Sequence, residues 1–574
     1  MHVLKFGGTS VANAENINKV KEVIRNAADK DRTIVIVSAL GGTTDALLQA
    51  ARLASSGDEH YKEILGASEQ RHLETIKEVV PVLHQSSILS AVKTQFNEME
   101  DICNGIFLLG ELSERTTDKM LSYGELISSR IISAALQYSG IENVWKDTRE
   151  LIITDSSFTH AVVDFKSTNQ LLQEFFFTSN SNLFIVPGFV ARDANGITTT
   201  LGRGGSDYTA AIIAAAVKAG ELEIWTDVSG MMTADPRLVP NARVIPEISY
   251  QEAMELSHFG AKVIYPPTIQ PVLAAGIPVW IKNTFRASDP GTLVKKQSYK
   301  NGNNIRGISS INKITLLSLE GSGMVGIPGF SKRLFEGLAG ANINVILITQ
   351  GSSEHSICVG IEDAYAKKAK QMIDRIFAAE IKAGSVDPLV TEQNLSIVAL
   401  VGDNMKSHPG VSGKMFGALG RNGVNVRAIA QGSSERNISA VISSNDVRKA
   451  INVLHEEFFE NTYKQLNLYI TGVGNVGSRF LAQLQQQQKY LLDQLKLQVK
   501  VIGIANSRKM LFDDEGINLS RWKEQLDSAP IMDLELFLKE ILSRNLRNSL
   551  FADITATAKI AECYPQLFQK SVSI

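Results

Sequence analysis

Cysteine is scarce. Cys103, Cys358 and Cys563 are the three in 574 residues, and they stand in no metal-ligand or redox spacing, which excludes a disulfide framework and a thiolate metal centre and suits a reducing compartment. No uncharged apolar run reaches the ~18 residues that a spanning helix needs. Neither sign of charge dominates: 58 Lys plus Arg against 60 Asp plus Glu leave a net charge of -2, which gives no reason to expect nucleic acid or an acidic membrane as partner. The opening MHVLKFGGTS runs straight into a strand without a basic and apolar leader, so a cytoplasmic protein is expected. G-x-x-x-x-G-K-[ST], H-R-D and D-F-G are all absent, which removes the familiar phosphate-binding folds. What remains is an ordinary globular composition, 44% hydrophobic and 21% charged, in a chain too long for one core.

Short apolar runs alternate with amphipathic stretches from residue 1 to about 295. TIVIVSAL (33–40), NLFIVPGFV (182–190), ELEIWTDV (221–228) and GIPVWIKN (276–283) read as buried parallel strands. Helical segments such as 205–219 and 250–258 separate them, so a three-layer α/β/α sandwich is expected. SDPGTLV and KKQSYKNGNN (288–304) are turn-rich and polar and mark a boundary. An internal repeat follows: residues 329–357 align without gaps to 410–438, an offset of 81, with 13 identities in 29 positions. That period is too long for a solenoid, and predicts two small α+β modules that pair their sheets. LYITGVGNVGSRF (468–480) then reads as strand, glycine turn and helix with the G-x-G-x-x-G spacing of a dinucleotide fold. KVIGIANSR (500–508) is a second strand, and the closing SVSI looks like the start of another.

Two glycine-rich turns carry the chemistry. Lys5-Phe6-Gly7-Gly8-Thr9-Ser10 lies where a first strand ends, and its backbone N–H groups and ammonium suit a phosphate. TLGRGGSDYTA (200–210) places Arg203 between glycines, ahead of a helix that Ser206 and Asp207 can cap. An arginine so placed can grip a carboxylate with two parallel hydrogen bonds. With SYGELISS (122–129), TDVSGMMTADPR (226–237) and FGAKVIYPPT (259–268), these stretches resemble aspartate kinase, of the amino-acid kinase fold. The repeats resemble the tandem ACT regulatory domains of that family, and 466–574 resembles the beginning of homoserine dehydrogenase. The whole is similar to the bifunctional aspartokinase/homoserine dehydrogenase family. Expected boundaries are 1–297 for the kinase, 305–462 for the ACT pair and 465–574 for a partial NAD(P)-binding domain. In relatives the last strand continues into a substrate domain, so a chain cut within its nucleotide domain and inactive as a dehydrogenase is expected.

The resemblance implies transfer of the ATP γ-phosphoryl, with Mg²⁺, to the β-carboxylate of L-aspartate. That nucleophile is an anion at neutral pH, so the site must hold two anions in line rather than supply a base. By resemblance Lys5 and Lys262 flank the phosphoryl oxygens, Asp207 orients them, and Gly7, Gly8 and Ser38 line the path. Arg203 clamps the substrate α-carboxylate, Glu125 takes its α-ammonium, and Thr44 and Ser206 complete the pocket. Thr226, Asp227 and Arg237 hold ATP; Met232 stands where many relatives carry Tyr beside the base. No residue is assigned as a metal ligand. Gly472, Gly474 and Gly477, with the basic pair Arg508 and Lys509, imply weak NADP(H) binding. In the repeats Gln350 and Gln431, with Asn344 and Asn425, resemble the contacts of a threonine-sensitive type, in a homodimer or homotetramer joined through the ACT domains. A kinase of another amino acid such as glutamate, and a non-enzymatic amino-acid sensor, are the alternatives.

Overall fold

The computed structural model describes residues 1–260, 263–296, 305–350, 355–403, 405, 408–431, 436–459 and 464–574. They form two units, Met1–Met232 with Val244–Gly302, and Thr233–Arg243 with Asn303–Ile574. Among the described residues no helix is long and apolar enough to cross a membrane, and the three cysteines are free thiols.

The strands of the first unit are β1 (His2–Phe6), β2 (Thr33–Val37), β3 (Val144–Trp145), β4 (Ile153–Thr154), β5 (Leu183–Pro187), β6 (Val190–Asp193), β7 (Thr198–Thr200), β8 (Glu221–Thr226), β9 (Glu247–Ser249), β10 (Val279–Asn283) and β11 (Thr292–Lys295). The main sheet runs β3-β5-β2-β1-β8-β10-β11-β9, with a small sheet β4-β6-β7 beside it. From β3 to β10 every neighbouring pair is parallel. All five residues of β2 and of β5 are buried, as continuous apolar strands covered on both faces must be. The helix Ala14–Ala28 shows how the covering layer is built: Asn13 caps its start, and Ile17, Val20, Ile24 and Ala27 form its buried stripe. Register matters most for function. Phe6 stands opposite both Val37 and Trp225, so Gly7, Ser38 and Thr226 leave the sheet side by side at its carboxyl end. In an open α/β sheet that is where ligands bind.

The second unit contains β12 (Ile305–Glu320), β13 (Leu347–Gln350), β14 (Ser356–Glu362), β15 (Val390–Gly402), β16 (Val426–Ala430) and β17 (Asn437–Ser443). The repeat is visible in its elements: the helices Phe330–Gly340 and Val411–Arg421, and the strands β14 and β17, correspond at the same 81-residue offset. The two copies join through antiparallel β12 and β15 into one sheet, β13-β14-β12-β15-β17-β16, each copy keeping its own apolar core. Residues 233–243 are unexpected here. They read as a loop of the first domain, yet Ala234 and Val239 are buried in the second copy's core with Ile305, Val398 and Leu454. The Ile308 N–H donates to the Thr233 carbonyl at 2.8 Å, and the Asn452 amide to the Leu238 carbonyl at 2.8 Å. Last come β18 (Lys464–Thr471), β19 (Leu497–Ala505), β20 (Met510–Phe512) and β21 (Ser549–Asp553), ordered β20-β19-β18-β21, with β18 parallel to both β19 and β21 and β20 antiparallel to β19. Ser573 bridges Leu550 in parallel beside β21.

Candidate active site

β1 brings Lys5 to the sheet's carboxyl end, where its ammonium lies 2.6 Å from Asp207 Oδ1, both side chains nearly buried. Asp207 is in the first turn of the helix Gly205–Ala216, where a carboxylate meets the positive end of the helix dipole. The expectation that Ser206 and Asp207 cap this helix is not met. The cap is Gly204, at φ 71°, and no side chain bonds to the free N–H groups, because Asp207 turns its carboxylate to Lys5 instead. Gly202 is also left-handed, at φ 70°, so Arg203 is set out between two glycines. Its guanidinium lies 5.4 Å from the centre of the Tyr265 ring and makes no ion pair or hydrogen bond among the described residues.

Glu125 comes from the opposite wall, in the helix Glu114–Gln137, and is buried rather than a surface charge. Gly124 before it explains how: a Cβ there would lie 2.9 Å from the Ala39 side chain, so glycine lets the 38–44 segment lie against this helix. Burial pushes the Glu125 carboxyl up to about 8, against the pull of the Ala39 N–H and of the Lys5 charge. Among the described residues its Oε2 has no hydrogen-bond partner. Lys5, Ser38, Thr44, Glu125, Arg203, Ser206 and Asp207 together line one cavity of about 540 Å³. Sequence reasoning passed over Asp45, Leu48, Leu121, Thr159, Phe189 and Thr200, which line it too.

Gly7 and Gly8 follow Phe6 at the end of β1, and Gly8 starts the short 3-10 turn Gly8–Val11. A Cβ on Gly8 would sit 3.1 Å from the Ala39 carbonyl oxygen. Thr226 and Asp227 close β8, the Thr226 hydroxyl donating to Asp227 at 3.2 Å. Arg237 belongs to the second unit, where it is exposed and forks onto the Asp235 carboxylate at 2.7 and 3.0 Å. Lys262 lies outside the described residues. Among those described, the cluster of carboxylates and imidazole close enough to share an ion is His2, Glu221 and Glu223, at the amino end of β1 and β8, away from this cavity. The Lys282 ammonium already pairs with Glu223 there.

In the second unit Gln350 ends β13 and Gln431 follows β16, both exposed, as are Asn344 and Asn425. Gln431 Oε1 accepts from the Ser412 hydroxyl at 3.1 Å. The Gly-Ser-Ser turns, at 351–354 and 432–435, lie outside the described residues. β13 and β16, at the two ends of the sheet order, return to within 8 Å of one another between Cα atoms. In the nucleotide fold the helix Asn475–Asp493 starts at Gly474. A Cβ on Gly477 would meet the Gly472 carbonyl oxygen at 2.4 Å, so that tight turn needs its glycine. Arg508 is exposed and makes no side-chain bond among the described residues, while the Lys509 ammonium is held by the Ala529 carbonyl at 2.7 Å.

Comparison with known proteins agrees with this arrangement. Residues 1–283 match the amino acid kinase family, 317–377 and 398–458 the ACT domain, and 472–574 the homoserine dehydrogenase NAD-binding domain. The chain is 36% identical over 580 residues to bifunctional aspartokinase/homoserine dehydrogenase 2 of Arabidopsis thaliana, covering all of this chain and 63% of that one. It is 33% identical over 585 residues to the Haemophilus influenzae bifunctional aspartokinase/homoserine dehydrogenase, covering all of this chain and 70% of that one. E. coli aspartokinase III in complex with aspartate and ADP superposes with a TM-score of 0.67 at 30% identity, covering 80% of this chain and 100% of that one. The same enzyme with lysine and aspartate gives 0.65 at 31%, covering 80% and 99%.

Proposed function

The chain belongs to the bifunctional aspartokinase/homoserine dehydrogenase family, and from that premise we propose that its first unit transfers the ATP γ-phosphoryl group to the β-carboxylate of L-aspartate. The observation that carries this reading is the pair Glu125 and Arg203 on one cavity. Among the described residues, a buried carboxylate oxygen without a hydrogen-bond partner suits an α-ammonium, and a guanidinium without an ion pair or hydrogen bond suits an α-carboxylate. The substrate's β-carboxylate then points toward Lys5, whose charge neutralises the transferring group while Asp207 holds it in place. Thr44, Ser38 and Ser206 complete the pocket. The E. coli enzyme's complex with aspartate and ADP supports the same substrates. Mg²⁺ enters with the ATP phosphates, and we assign it no ligand set on the protein, since Asp207 is committed to Lys5. Thr226, Asp227, Gly7 and Gly8 are assigned to nucleotide and phosphate.

We assign 1–297 to the kinase, 305–462 to the ACT pair and 465–574 to NADP(H) binding. Gly472, Gly474 and Gly477 would hold the pyrophosphate at the helix start, and Arg508, rather than the engaged Lys509, would meet the 2′-phosphate. A nicotinamide held there would supply the chemistry of hydride transfer. The ACT pair binds an amino-acid effector, threonine in our reading, at Gln350 and Gln431. The test is ADP release with aspartate against glutamate. Aspartate-dependent release supports the reading; release with glutamate alone, or effector binding with no release, overturns it.

A further inference from the structure

The backbone around Arg203 is held from outside by a residue that does not line the cavity. Asp118 lies one turn into the helix Glu114–Gln137 and is fully buried. Its Oδ2 accepts the N–H groups of Thr159 at 2.9 Å and Thr200 at 3.0 Å, and its Oδ1 accepts the Thr200 hydroxyl. Thr200 is the last residue of β7, three before Arg203. Thr159 stands on the other side of the loop, at φ 69°, a left-handed conformation unfavourable to a β-branched residue. The Thr159 carbonyl oxygen lies 3.0 Å from where a Cβ on Gly202 would be, and the Ala161 N–H donates to the Thr200 carbonyl at 3.0 Å. One carboxylate therefore ties both backbone segments that bracket Arg203. Burial raises the Asp118 carboxyl from its ordinary range and the three hydrogen bonds pull it back. Asp118 and Glu125 are seven residues apart, two turns on one helix face, roughly 10 Å along the axis.

We propose that Asp118 is a positioning residue for recognition of the substrate's α-carbon substituents: it fixes the Arg203 loop to the same helix that supplies Glu125. The spacing between the group that grips the α-carboxylate and the one that grips the α-ammonium is then set by a single helix. This rests on the reading of Glu125 and Arg203 given above. Leu is the near-isosteric probe, because it has no oxygen to accept either backbone N–H, while Thr200→Val removes the hydroxyl donor alone.

Steady-state kinetics on the full chain, with Asp118→Leu, Thr200→Val, Arg203→Gln and the Asp118→Leu/Arg203→Gln pair, test it. Asp118→Leu should raise the KM for aspartate about tenfold or more, with the KM for ATP within about twofold of the parent, and Thr200→Val should do the same to a smaller extent. In the double variant Asp118→Leu should add little to Arg203→Gln, since both act through one contact. Fully multiplying effects, or a fall in kcat with the aspartate KM unchanged, would overturn the assignment. If Asp118→Leu does not fold, the same cycle with Thr200→Val decides. A parent chain that releases no ADP with aspartate overturns the kinase reading and this inference together; an active parent without the non-additivity overturns this inference only.

Discussion

Glu125 is where stability and binding conflict within one side chain. Its folded carboxyl, at about 8, lies above the ordinary 4.5, so its contribution to stability is complete below about pH 4.5 and is lost as pH rises through about 8. Glu125→Gln keeps the shape and removes the titration. The variant's thermal midpoint should therefore gain on the parent across pH 5 to 8.5 and level off above, while its KM for aspartate rises more than about tenfold. In the parent the aspartate KM should fall toward about pH 8, because an α-ammonium pairs with the carboxylate and not with the acid; a flat profile would remove Glu125 from that role. Lys5 and Asp207 form the second residue-scale test. Lys5→Ala should lower kcat by about 10²–10⁴ and destabilise the fold by stranding a nearly buried carboxylate. Adding Asp207→Ala should restore the thermal midpoint without restoring turnover, which separates the charge's role in folding from its role in catalysis. Lys5, Arg203 and Asp207 were legible because glycines announce where backbone meets ligand. Asp118 was legible in principle, seven residues before Glu125, but its partners Thr159 and Thr200 are distant in sequence and show only after folding.

At the scale of elements, the strands and the repeat were legible and the path of one loop was not. Continuous apolar runs gave β2 and β5, which are buried at every position, while β8 and β10 were legible from the apolar residues around Glu223 and Lys282. The 81-residue offset survives into helices and strands because each copy must bury the same face of its helix. TADPRLVPNAR (233–243) carries only two deeply buried apolar side chains, Ala234 and Val239, too few to set a period, so its place in the second copy's core is a tertiary fact. Chain continuity makes it consequential, since it follows Thr226 and Asp227 within a few residues and ends at the bridge between Met232 and Val244. Val239→Ala should cost about 1–3 kcal/mol in denaturant unfolding of the second unit, as for other buried aliphatic truncations. An unchanged midpoint would show that the segment lies on that core without supporting it.

For the whole molecule, the question is how an amino acid bound to the repeats changes phosphoryl transfer. Ile348 and Ile429 occupy equivalent places in the two copies, on the edge strands β13 and β16, and are 54% and 44% exposed. Exposed apolar side chains at equivalent places in the two copies suit a partner surface, and we propose assembly through the ACT domains. Two covalent routes lead from the repeats to the first unit: the stretch near 295–308, of which 297–304 lie outside the described residues, and the excursion 233–243, which follows β8 within a few residues along the chain. An effector that favours one packing of the repeats can act along either. Reciprocity requires that it weaken substrate binding as much as substrate weakens its own, commonly by about 1–3 kcal/mol. Threonine should then inhibit the kinase, and Gln350→Ala and Gln431→Ala should each weaken that inhibition while leaving the uninhibited rate nearly intact, since neither residue lines the Lys5 cavity. Gln431 should matter beyond its own contact, because Gln431 accepts a hydrogen bond from Ser412 at the start of its copy's helix. The measurement is a titration of ADP release with threonine, with lysine and methionine as controls, on the parent and both variants. Inhibition by lysine and not threonine would place the effector specificity with the E. coli enzyme that binds lysine. If threonine binds calorimetrically yet leaves the rate unchanged, the repeats recognise it but the two routes do not carry its signal, and Val239→Ala should then alter neither binding nor rate.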